Sequence, residues 1–97
     1  MKTPRIAFIG AGNMATSIVG GLLDSGHPPQ MLSAADPFPD SLVKLAQRGP
    51  VVICNSNAEA AADADVIMLA VKPQVMAEAT ASIAQAAASN GALVISI

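Results

Sequence analysis

Apolar residues fall in five short blocks along the chain, at residues 5–9, 31–35, 51–54, 66–71 and 93–97, each of strand length. Several blocks are continuous rather than alternating, as in parallel strands covered on both faces. Between them the spacing becomes helical. Over residues 14–23, Met14, Ile18 and Leu22 recur every fourth residue with Ala15, Val19 and Leu23 beside them, which predicts an inward stripe, and Gly26 is placed to end the helix. A second helix is expected from Pro39 or Asp40 to Arg48, with Leu42, Leu45 and Ala46 inward and Gly49-Pro50 as its stop. A short third starts with Asn57 as its cap and runs to Ala62, and a fourth, alanine-rich, covers residues 73–88. Strict alternation of strand and helix implies right-handed crossovers and a doubly wound parallel sheet with helices on both faces, an α/β fold.

The pattern stops within its fifth strand, at Val94-Ile95-Ser96-Ile97, with no closing helix. The chain is therefore expected to be a piece of a longer protein, with an apolar edge prone to association or domain swapping.

One junction is unusually poor in side chains. The first strand breaks into Gly10-Ala11-Gly12-Asn13-Met14-Ala15 before the first helix. A glycine at position 10 permits the tight turn, one at position 12 lets phosphates approach the backbone, and a small residue at position 15 allows close helix–strand packing. The free N–H groups and partial positive charge of the helix head then favour a dinucleotide diphosphate. Such turns also serve plain strand-to-helix packing. Here the context fits a ligand, because a second strand ends at Asp36, some twenty residues on. A carboxylate there accepts hydrogen bonds from both ribose hydroxyls of NADH and repels the 2′-phosphate of NADPH. Gly20-Gly21, inside the helix, read as close packing.

Composition narrows the alternatives. Ninety-seven residues make one domain, residues 1–97, able to bury roughly two thirds of the surface its unfolded chain exposes. With 53% hydrophobic and 12% charged residues it is not a disordered chain. A net charge of −2 and two aromatic residues give neither the electrostatics nor the stacking that nucleic acid requires. Cys54 has no cysteine partner, which fits a reducing, cytoplasmic setting and a buried apolar role. Lys2 and Arg5 precede an apolar stretch as in a secretory leader, but Gly10, Gly12 and Asn13 interrupt it too early. No run reaches membrane-spanning length, and no metal-ligand cluster is evident, so metal and membrane partners are not expected.

A second motif, Asp65-Val66-Ile67-Met68-Leu69-Ala70-Val71-Lys72-Pro73-Gln74-Val75-Met76, takes a buried strand to its carboxyl end and starts a helix on the sheet edge that carries the glycine turn. Alone, Lys72 is a solvated lysine at a strand end and Pro73 an ordinary first helical residue. Together, Phe-Ile-Gly-Ala-Gly-Asn-Met-Ala, Ala-Val-Lys-Pro-Gln and the final Val-Ile-Ser-Ile resemble the amino-terminal domain of the pyrroline-5-carboxylate reductase family over essentially the whole chain.

The resemblance implies a Rossmann-type sheet in three α/β/α layers, cut off at its fifth or sixth strand. It implies NADPH- or NADH-dependent reduction of the cyclic imine 1-pyrroline-5-carboxylate to L-proline, the last step of proline biosynthesis. It further implies a helical carboxyl-terminal domain, outside this chain, that dimerises and completes the site. By position it places Ile9, Gly10, Ala11, Gly12, Asn13 and Met14 around the diphosphate, Asp36 near the adenosine ribose and Asn57 near the adenosine end. Ala70, Val71, Lys72 and Pro73 would line the nicotinamide side. Two departures stand out. Family members often carry Ser, Thr or an Asn-Arg pair where this chain has Asp36, and the Ala-Ala-Gly turn that follows the last strand in the family is absent.

No catalytic residue is assigned. His27 follows Gly26 at a helix end, on the side away from the strand carboxyl ends, and reads as a surface residue. The isolated chain is thus expected to hold a cofactor without turning over. Two rivals remain at this stage. A β-hydroxyacid-type dehydrogenase would carry a different stretch in place of Ala-Val-Lys-Pro-Gln, and a nucleotide-sensing module would have the glycine turn without a nicotinamide-side segment.

Overall fold

The structure is a computed structural model and describes residues 3–97, so Lys2 of the leader-like start lies outside the described residues. Five parallel strands form one sheet, β1 Ile6–Ile9, β2 Leu32–Ala35, β3 Val52–Ile53, β4 Val66–Leu69 and β5 Leu93–Ser96, in the order β3-β2-β1-β4-β5. The chain builds outward from β1 to β3, then returns to the other side of β1 to lay down β4 and β5. The strand order therefore reverses between β1 and β4, the position where open α/β sheets bind ligands.

The helices are α1 Asn13–Asp24, α2 Pro39–Ala46, α3 Asn57–Ala61 and α4 Met76–Asn90. Alternation along the strands divides the core between the two faces of the sheet. Phe8, Leu32 and Ala34 point toward Ala15 and Val19 of α1 and Leu45 of α2. Ala7, Ile9, Ile67 and Leu69 point toward Ala60 and Ala61 of α3 and Ala79 and Ile83 of α4. Alanine at these helical positions lets the helices lie close to the strands, and Phe8, fully buried at the centre, supplies the bulk on the α1 side.

The expected order of elements is the observed one, with local corrections. The fourth helix begins as a 3-10 turn, Pro73–Val75, before continuing as α4, because Pro73 fixes the first turn without donating to it. The strands at 51–54 and 66–71 are shorter than their apolar runs. Met14 does not join the inward stripe of α1; it is 62% exposed, and the buried residues are Ala15, Val19 and Gly20. Gly20 is packed beneath the Arg48 guanidinium, whereas Gly21 faces open space. Gly26, at φ +96°, closes α1 as expected, with its own N–H bonded to Leu23 and that of His27 to Leu22.

Asn57 is not the cap of α3. Ser56 is: its Oγ accepts the Glu59 N–H at 3.1 Å, while the Asn57 Nδ2 donates to Ser82 Oγ of α4 at 3.1 Å. At the other end of α3, the Asn90 Nδ2 donates to the carbonyls of Ala61, Ala62 and Ala64 at 3.0, 2.9 and 3.2 Å. His27 sits at the amino edge of the sheet, its Nε2 3.0 Å from the Pro4 carbonyl. Among the described residues, no helix is long and apolar enough to cross a membrane. The β5 edge carries exposed Leu93, Val94, Ile95 and Ile97.

Candidate functional site

Strand register brings the two sequence motifs together. Ile9 pairs with Ala35 on one side and with Leu69 on the other, so the residues that follow, Gly10, Asp36 and Ala70, stand in a row at the carboxyl rim. Hydrogen bonds extend the ladders to that rim, from the Gly10 N–H to the Ala35 carbonyl at 2.9 Å and from the Ala70 N–H to the Ile9 carbonyl at 2.8 Å. Gly10 has φ +101°, and a Cβ there would lie 2.6 Å from the Ala70 carbonyl oxygen. Glycine is thus required both by the turn and by the neighbouring strand.

Two residues on, the requirement is of another kind. Gly12 precedes α1 in extended backbone, φ −75° and ψ −166°, and a Cβ there would meet nothing within 4 Å. The protein itself has no use for this missing side chain. The first intrahelical bond runs from Thr16 N–H to the Gly12 carbonyl, and no side chain caps the helix, so the N–H groups of its first turn are available to an anion.

Asp36 ties the rim together. One carboxylate oxygen accepts the Ala11 N–H at 2.8 Å, and the other accepts the Phe38 N–H at 2.8 Å. The carboxylate thereby fixes the glycine turn and the β2–α2 loop relative to each other, and each oxygen keeps a lone pair for a further donor.

A cleft of about 280 Å³ runs over this row, lined by Gly10, Gly12, Asp36, Phe38, Val71 and Lys72 among others. A hollow of about 160 Å³ adjoins it at Gly10 and Val71 and another of about 250 Å³ at Asp36, and the two hollows share Asn57. Of the expected site residues, Gly10, Gly12, Asp36, Asn57, Ala70, Val71 and Lys72 line this continuous trench. Ile9 and Ala11 are buried beneath it and present only backbone. Asn13 and Met14 are exposed on the first turn of α1, and Pro73 is exposed at the start of the 3-10 turn. None of these last five lines the trench.

Several lining residues escape a reading of the sequence. Phe38, 68% exposed, precedes α2 and Ser41 lies in its first turn, while Val75 ends the 3-10 turn and Glu78 lies in the first turn of α4. Phe38 did carry a signal, an aromatic residue between two prolines just past Asp36. Glu78 carried none, because the faces of an alanine-rich helix cannot be told apart by hydrophobic period. A separate hollow of about 120 Å³ toward the amino ends of the strands holds Arg5, Glu59, Asp63 and Cys54. Burial pushes the Cys54 thiol above its ordinary range and the Glu59 carboxylate adds to the effect, so Cys54 is a packing residue rather than a nucleophile. Among the described residues no group of three or more His, Cys, Asp or Glu side chains is placed to hold a metal ion.

A trench across the reversal of strand order, floored by a bare turn at a helix head, is the ligand position of Rossmann-type α/β domains, and this is such a domain. The chain belongs to the family described as NADP oxidoreductase, coenzyme F420-dependent, whose model matches residues 5–97. It is similar to the pyrroline-5-carboxylate reductase of Pseudomonas aeruginosa, at 54% identity over 76 residues, 78% of this chain and 28% of that protein. The pyrroline-5-carboxylate reductase of Vibrio alginolyticus is 42% identical over 97 residues, 100% of this chain and 35% of that protein. A solved pyrroline-5-carboxylate reductase from Coxiella burnetii matches with a TM-score of 0.92 at 33% identity, over 99% of this chain and 36% of the other. The resemblance carried by the glycine turn and the Ala-Val-Lys-Pro-Gln stretch is thus borne out. The chain spans about a third of the length of these relatives.

Proposed function

We propose that this chain is the cofactor-binding half of a cytoplasmic pyrroline-5-carboxylate reductase, holding NADPH or NADH in the trench. The observation that carries the reading is the open space over Gly12, at a helix head and in the same trench as Asp36 and Lys72. The backbone from Gly10 to Met14 would take the diphosphate, Asp36 and Asn57 the adenosine end, and the Ala70, Val71, Lys72 and Pro73 stretch the nicotinamide end. When bound, the reduced nicotinamide supplies the hydride for an imine carbon; this chain's residues bind and orient it and wall it off from water.

The substrate side and the dimer contact would belong to the remaining two thirds of relatives of this length. The carboxyl groups lining the trench, Asp36 held by two backbone N–H groups and the exposed Glu78, give no built proton donor for the imine. In isolation the chain should bind a reduced cofactor and show no pyrroline-5-carboxylate-dependent oxidation of it; robust turnover would overturn the assignment of the substrate side elsewhere. Gly12→Val provides the sharper test. The added Cβ enters space that the protein leaves empty, so unfolding free energy should fall only by the about 1 kcal/mol that an apolar residue costs at a helix cap, while cofactor affinity falls at least about tenfold by exclusion. Unchanged affinity would remove the diphosphate from that turn.

A further inference from the structure

The adenosine end of the trench contains a second carboxylate. Glu78 lies in the first turn of α4, and Ser82 lies one turn further along the same stripe of that helix. The Asn57 Nδ2 donates to Ser82 Oγ, which fixes this stripe against α3. Ala79 and Ile83, each one residue further on, are buried on the sheet, so Glu78 is held on the flank of α4 that borders the carboxyl ends of β2 and β3. It lines both hollows around Asn57, and Asp36 is part of the lining of one of them. Among the described residues, no lysine or arginine lines either hollow. Lys72 lies along the first cleft, and Arg48 is occupied over Gly20 on α1.

We propose that Glu78 is a specificity-determining residue which, sharing a hollow with Asp36 and Asn57, makes this end of the trench select the cofactor bearing free ribose hydroxyls, NADH, over the 2′-phosphorylated NADPH. The proposal rests on the cofactor assignment above and deepens it. A phosphate monoester placed here carries close to two negative charges and meets two carboxylates with no lysine or arginine in the lining to offset them. A pair of hydroxyls carries no charge for Glu78 to repel, and it can donate to the Asp36 carboxylate, whose oxygens each keep a free lone pair. Asp36 contributes to this selection but cannot report it cleanly, because its carboxylate also anchors the Ala11 and Phe38 N–H groups and its loss would disturb binding of either cofactor. The Glu78 side chain is exposed and has no hydrogen-bond partner among the described residues, so changing it should cost the fold no more than the small stabilisation that a first-turn carboxylate gives a helix head.

The test is a pair of titrations of the chain with NADH and with NADPH, read by nicotinamide emission, which is unobstructed because the protein has no tryptophan or tyrosine. The wild-type chain should bind NADH more tightly. Glu78→Gln should raise NADPH affinity roughly three- to tenfold with NADH affinity within about twofold, and Glu78→Lys should move the ratio further in the same direction. Added salt should shrink the wild-type preference and leave that of Glu78→Gln less affected. A wild-type preference for NADPH, or a ratio unmoved in both variants, would overturn the proposal while leaving the cofactor site intact. Binding of neither cofactor would instead bring down the cofactor assignment, and the proposal with it.

Discussion

The two glycines of the turn illustrate how differently one residue type can be required. A Cβ at position 10 would press on the Ala70 carbonyl from a backbone conformation that L-residues rarely adopt. Gly10→Ala should therefore destabilise the chain by about 2–4 kcal/mol, read by urea unfolding, well beyond the about 1 kcal/mol expected of Gly12→Val at the helix cap. Gly21 offers the opposite case, a mid-helix glycine facing open space in α1. Gly21→Ala should stabilise by up to about 1 kcal/mol, since alanine is the better helix former and nothing obstructs its methyl. From the sequence, Gly10, Gly12 and Asp36 could be named because the turn chemistry is local. The bond from Asp36 back to Ala11 could not, because it spans 25 residues and depends on the register of β1 against β2.

Among the elements, α3 is the one that least supports itself. It has five residues, too few to be stable alone, and is held by side chains at both ends. Ser56 satisfies its first turn, and the Asn90 amide, brought in from the end of α4, serves the carbonyls of its last residue, Ala61, and of Ala62 and Ala64 beyond it. Asn90→Ala should cost about 1–3 kcal/mol in unfolding free energy, more than an exposed substitution, because partly buried carbonyls lose their donor. The existence of α3 was legible in the Ser-Asn-Ala-Glu stretch. Which of Ser56 and Asn57 caps it was not, since both residue types serve equally well and only contact with Ser82 draws Asn57 away. The parallel direction of the strands was legible for a broader reason, namely that each of the first four apolar blocks is followed by a helical segment, which implies parallel crossovers; their order in the sheet was not. The 3-10 start of α4 and the shortened β3 escaped because periodicity marks the presence of an element better than its ends.

At the scale of the whole molecule, the sheet is unevenly covered. Leu93 and Ile95 pair in register with Val66 and Met68, and both remain open, at 60% and 36% exposure. Such an apolar edge strand is a template for pairing with another chain. The isolated chain should self-associate in a concentration-dependent way, and Ile95→Lys should suppress this in sedimentation velocity without loss of helix content; equal association in both would place the sticky surface elsewhere.

The centre of the sheet is the reverse of its edge. Strand β1 is bonded on both sides and covered on both faces, with Ala7, Phe8 and Ile9 sealed from solvent. Its amide protons should be the slowest in the chain to be replaced by deuterium, since releasing them requires the domain to come apart. Because any occupant of the rim at Gly10 binds only the intact form, about a hundredfold excess of ligand over its dissociation constant should slow that replacement by about a hundredfold. The buried strand thus becomes a clock on which ligands can be compared without observing the ligand itself.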